Sequence, residues 1–107
     1  MITFDDFKKI DIRIGKILEV SKIDGSDKLI KLAVDIGEET RQVIAGIGKK
    51  YEPDFLIGKQ VVVLVNLEYR QLMGLESQGM ILSAHDENNR PVLIMPCEEV
   101  ISGSQLS

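Results

Sequence analysis

The chain has no tryptophan, one cysteine, one histidine and only 5% aromatic residues. A lone cysteine, Cys97, excludes an internal disulfide framework and makes a reducing cytoplasm the expected compartment. Cys97 and His85 together cannot supply the usual ligands of a zinc site. Any Ser–His–Asp or Cys–His machinery would rest on that single imidazole, which sits beside a turn and reads as a surface residue. Cys97 lies between Pro96 and two acids, which disfavour a reactive thiolate. Long hydrophobic runs are also missing: the longest, Val61–Val65, is far too short to cross a bilayer. Met1–Phe7 carries two acids and no apolar stretch, so it is no signal peptide. These absences leave no expected catalytic residue, metal, cofactor or membrane partner.

The 107 residues fit one domain, 1–107, with 44% hydrophobic and 28% charged residues, the composition of an ordinary soluble protein. Net charge is −4, but it is segregated. Lys8–Lys31 holds seven Lys/Arg against four acids, and Arg41–Arg70 five against three. Separated charge of this kind can give an acidic protein one basic face.

Thr3-Phe4-Asp5-Asp6 has the form of a capping box, predicting a short helix over Phe4–Lys9 with Phe4 and Phe7 turned inward. Ile10, Ile12 and Ile14 alternate with polar residues, and the alternation resumes out of phase after Gly15, predicting a strand with a bulge or bend at that glycine. Asp24–Asp27 is a turn. Leu32, Val34 and Ile36 mark a second strand and Gln42–Gly46 a third. Pro53 and Gly58 bracket a small helix around Phe55, a third expected core aromatic. Val61–Val65 reads as a central strand, Gly79–Ala84 as another, and Val92–Met95 as its hairpin partner across Asp86–Arg90. The fold class expected is all-β: a five-stranded Greek-key barrel of the OB type with short helices.

Gly46-Ile47-Gly48-Lys49-Lys50 resembles a phosphate loop only superficially. Val43 stands where a Walker loop needs glycine, Lys50 where it needs Ser or Thr, and Tyr51 where the dinucleotide pattern needs its third glycine. Binding remains. Barrels of this type present a sheet face and loops to oligomers. With so few aromatics to stack single-stranded bases, recognition of folded RNA by shape and phosphate contacts fits better.

Phe4-Asp5-Asp6-Phe7-Lys8-Lys9-Ile10-Asp11-Ile12-Arg13-Ile14-Gly15-Lys16-Ile17 resembles the entry to the tRNA-binding domain appended to methionyl-tRNA synthetases. The same domain occurs as free-standing dimeric proteins. Ser26-Asp27-Lys28-Leu29, Val43–Ile47, Val65-Asn66-Leu67, Leu72–Leu82 and Glu99-Val100 with Gly103 follow in the family's order. The resemblance covers nearly the whole chain. It implies an OB fold whose C-terminal extension makes a homodimer, and a non-catalytic module that recognises tRNA by shape and serves a methionyl-tRNA synthetase catalytic chain.

Carried over by position, Lys28, Asn66, Ser77 and Met80 fall on motif residues associated with tRNA binding. Arg70, Lys31 and Arg41 are phosphate-contact candidates from charge alone. Each has a structural alternative: Met80 as core, Ser77 as a strand start, Asn66 as a turn cap, the cations as solvated surface. A similar small dimeric OB protein, the CsaA-type export chaperone, is the other implied reading; this chain's Gly79-Met80 pair favours the tRNA-binding group. For the dimer, Val92–Met95 with Val100 and Ile101 holds more apolar residues than an edge hairpin needs.

Overall fold

The computed structural model describes all 107 residues. It is mostly β, with two short helices. Helix α1, Phe4–Lys8, begins with the expected box: the Thr3 hydroxyl accepts the Asp6 amide and the Asp6 carboxylate accepts the Thr3 amide, each at 3.2 Å. Strands β1 (Ile12–Ile23), β2 (Ser26–Asp35) and β3 (Thr40–Ala45) form an antiparallel meander. Helix α2, Pro53–Leu56, then leads to β4, Gln60–Leu64, which returns to the free side of β1. The strand β7, Met80–Ile81, completes a five-stranded sheet of order β3-β2-β1-β4-β7. Three hairpin-linked strands with the fourth beside the first is Greek-key order. Two small hairpins stand apart: β5 (Arg70–Leu72) with β6 (Leu75–Ser77), and β8 (Ser83–His85) with β9 (Pro91–Leu93).

A closed barrel is not found, because no ladder joins β3 to β7. The residues just before β7 span the gap instead. The Gln78 amide donates to the Gln42 carbonyl at 2.8 Å, and the Gln42 amide donates to the Gln78 side chain at 3.0 Å. An open edge is thereby covered by single bonds rather than by a strand.

Strand β1 serves two neighbours, β4 through Ile12–Lys16 and β2 from Lys16 onward. Its register shifts lie between Ile17 and Glu19, at Leu18, and between Lys22 and Ile23, not at Gly15 as the phase change suggested. The glycine has another purpose. A Cβ there would meet Val34 Cγ1 at 2.5 Å and Val63 Cγ2 at 3.0 Å, so β1 crosses the core only because Gly15 is bare. Ile12 and Ile14 alternate to the opposite face, and the C-terminal segment runs along the edge of β1 beside them. There the Gly103 amide donates to the Ile14 carbonyl at 2.7 Å and the Ile14 amide to Ser104 at 2.8 Å.

The core is aliphatic, built on Ile17, Leu32, Val34, Val43, Leu56 and Val61 among others, with no buried aromatic. Phe4 and Phe55 are exposed rather than core anchors. Phe4 stacks on half-buried Phe7, and Phe55 stacks on Tyr51 at 5.5 Å with the Lys59 ammonium 4.7 Å from its ring centroid. Leu56, one residue on, takes the interior place. No helix is long and apolar enough to cross a membrane.

Candidate functional site

Seventeen acids outnumber thirteen Lys/Arg in this chain, yet one groove contains none of them. It has a volume of about 520 Å³ and runs between the start of β2, the end of β3, the β5–β6 hairpin and the strands β7 and β8. Leu29, Ile44, Leu72 and Ile81 contribute an apolar floor, while Lys28, Arg70, Met80 and His85 lie along the rim. The side chains of Lys28, Arg70 and His85 make no ion pair within the chain. Their hydrogen-bonding capacity faces solvent.

Local structure places each of them. The Ser26 hydroxyl accepts the Leu29 amide at 3.0 Å and tightens the turn before Lys28. The Gly48 amide donates to the Lys28 carbonyl at 2.8 Å, bracing that turn with the loop after β3. Gly46 leaves room for the lysine stem: a Cβ there would approach Lys28 Cε at 3.0 Å. Arg70 opens β5 opposite Ser77, Met80 pairs with Leu64 in the sheet, and His85 pairs with Pro91.

Three of the seven residues named from sequence, Lys28, Arg70 and Met80, thus meet in one groove. Lys31 and Arg41 line a different depression, which also contains Glu19. The Arg41 guanidinium is held by Glu39 and by the carbonyls of Val65 and Gln78, and lies 5.8 Å from the Tyr69 ring centroid. Asn66 ties the end of α1 to the end of β4: its side-chain oxygen accepts the Asp11 amide at 2.8 Å and its amide donates to the Lys9 carbonyl at 2.7 Å. Ser77 is buried, accepting from Ile44 and donating to Gly79.

Elsewhere, two clusters of charge are internally matched. Arg13 bonds Asp11 and Glu38, hydrogen bonds that hold its guanidinium still more firmly protonated than usual. Asp86 gathers Arg90 and Lys50, and its carboxyl lies below the ordinary carboxylate range chiefly because it accepts the Arg90 backbone amide. No group of three or more His, Cys, Asp or Glu side chains could hold a metal. Sequence reasoning missed His85 as part of the groove and the whole β5–β6 hairpin that carries Arg70. The His85 signal was a histidine in a strand opposite a proline, which any surface hairpin could show.

A family model described as "Putative tRNA binding domain" matches residues 12–105. The methionine–tRNA ligase of Caldanaerobacter subterraneus subsp. tengcongensis is 48% identical over 106 residues, a match covering 99% of this chain but 16% of the ligase. The chain therefore spans about a sixth of the length of that relative. Among solved structures, the MetRS related protein from Pyrococcus horikoshii superposes with a TM-score of 0.93 at 36% identity, covering 100% of this chain and 98% of the other. The chaperone CsaA from Bacillus anthracis str. Ames superposes with a TM-score of 0.91 at 33% identity, covering 100% and 99%.

Proposed function

This chain belongs to the tRNA-binding domain family, and from that membership we propose that it binds folded tRNA through the acid-free groove, as a non-catalytic accessory to methionyl-tRNA synthetase. The groove is the observation that carries the reading. On a protein of net charge −4, unpaired Lys28 and Arg70 flank one apolar surface without a carboxylate between them. Cations so placed can each neutralise a phosphate and release counterions. In this reading the sheet is that of a partly open OB fold, Asn66 and Ser77 serve binding by fixing the backbone around the groove, and Lys31 and Arg41 lie outside the main contact. The protein acts in the cytoplasm. Exposed Ile94, Met95 and Ile101 form the contact of a homodimer, which would present two grooves to one RNA or to two.

The test is fluorescence anisotropy with labelled folded tRNA, competed by unstructured RNA and duplex DNA across a salt series. Preferential tRNA binding that weakens steeply with salt is expected, with Lys28→Ala lowering the salt slope by about one. A second reading has a specific basis in the CsaA likeness: the groove takes unfolded polypeptide. Suppressed aggregation of a denatured client, without salt-dependent RNA binding, is the result that would put it first.

A further inference from the structure

Shape and phosphate recognition needs cations but has no use for an apolar floor. This groove has both. We infer that the groove captures a single unstacked nucleotide projecting from a folded RNA, its base seated over Met80 beside the His85 imidazole and its flanking phosphates on Lys28 and Arg70. The inference deepens the tRNA-binding reading and rests on it.

Four observations point to this occupant. The volume, about 520 Å³, is that of a small-molecule site and holds one nucleotide with room for its backbone. Leu29, Ile44, Leu72 and Ile81 offer a base an apolar surface like the one neighbouring bases give it in a stack. His85 is the one aromatic ring lining the groove, it is exposed, and neither ring nitrogen has a partner in the chain. Lys28 and Arg70 supply positive charge with no lining acid to oppose it. An extended apolar peptide would use the floor but gain nothing from two unmatched cations. A nucleotide uses both, because its face is apolar and its two phosphates are anionic. Ser83, also lining the groove, has a hydroxyl free to meet a base edge.

A blunt RNA duplex with and without one bulged adenosine, titrated alongside tRNA, tests this directly. The bulged RNA should bind about five-fold tighter or more, the scale of one stacked base. A fluorescent adenine analogue at the bulge should be quenched on binding. His85→Ala should abolish the preference and the quenching. His85→Phe should restore both and His85→Lys neither, separating stacking from charge. His85 is exposed and makes no side-chain bond, so these variants should keep the fold.

Equal affinity for the two duplexes, with tRNA still bound, overturns the inference and leaves the tRNA-binding reading intact. A bulge preference untouched by His85→Ala overturns the assignment of this groove. An extended peptide that binds more tightly than the bulged RNA and displaces it from the groove overturns it as well. Loss of all RNA binding, tRNA included, would remove both proposals together.

Discussion

The hydroxyl of Ser77 accepts the backbone amide of Ile44 at 3.0 Å, across the edge where the sheet does not close. Ile44 belongs to β3 and Ser77 to β6, so one side chain does there what a strand ladder does elsewhere. Its own proton goes to the Gly79 carbonyl at 3.0 Å. Ser77→Ala strands a buried amide and should cost about 1–3 kcal/mol, measurable as a lowered urea midpoint. Because Ile44 floors the groove, tRNA affinity should fall too, but with an unchanged salt slope. A reduced slope would mean that losing this bond also pulls Lys28 or Arg70 away from phosphate.

Cations of equal charge should differ by whether they are already matched. Arg70 has no acidic partner and lines the groove, whereas Arg90 lies on Asp86 at 3.4 Å. Arg70→Ala should therefore lower the salt slope of tRNA binding by about one and Arg90→Ala should leave it unchanged. Equal effects in a side-by-side titration would show that binding senses net charge and not the groove.

What could be read in advance was local. The Thr3–Asp6 box spans three residues, and the alternation of Leu32, Val34 and Ile36 is a property of one strand. What could not be read depended on distant partners. The backbones of Ile12 and Ile14 bond the C-terminal segment at Gly103, Ser104 and Leu106, a partner no local pattern announces. Asn66 and Arg41 look available to a ligand; their partners at Lys9, Asp11, Val65 and Gln78 lie far along the chain. Phe4 and Phe55 are large and apolar, yet stack on neighbours at the surface because short helices leave them no interior to reach. Lys28, Arg70 and Met80 were individually nameable. Their convergence required the β5–β6 hairpin, whose turn carries no usual turn residue at its first position.

That position is Met73, with φ of 52° ahead of Gly74 at 77°. Two positive values make a primed hairpin turn, which favours asparagine followed by glycine. A methionine there pays the left-handed penalty and is half exposed. Met73→Asn should stabilise the protein by roughly 0.5–1 kcal/mol in urea denaturation, since only the backbone strain is relieved. If stability falls instead, the contact of Met73 with the β1–β2 turn at Gly25 outweighs the strain.

Gly103 has a φ of 92°, and a Cβ on it would lie 2.5 Å from the Ile36 carbonyl oxygen. Gly103→Ala can relieve that approach only by lifting the C-terminal segment from β1. The bond from the Gly103 amide to Ile14 would go with it, exposing apolar surface at Ile14. The expected signature is faster hydrogen exchange at the amides of Ile14 and Leu106, with β2–β3 amides unchanged. Should the proposed homodimer use this segment, dimerisation would weaken in the same variant.

Asp86 gives the protein a predictable response to acid. Its carboxylate accepts the amides of Arg90 at 2.8 Å and Asn88 at 2.9 Å, and faces the charges of Arg90 and Lys50. Those partners hold its pKa below that of the unfolded chain. A depressed carboxylate contributes stability that is fully present above the unfolded pKa and is lost as pH falls through the lower native value. Wild type should therefore be more stable than Asp86→Asn at neutral pH, with the gap closing across the acidic carboxylate range. Urea midpoints measured stepwise downward from neutral pH would trace that convergence. A constant gap would mean that Asp86 acts through hydrogen-bond geometry that asparagine cannot reproduce, and not through its charge. Since Asp86 closes the β8–β9 hairpin carrying His85, loosening it in acid should also blur the groove, so binding measurements belong above that range.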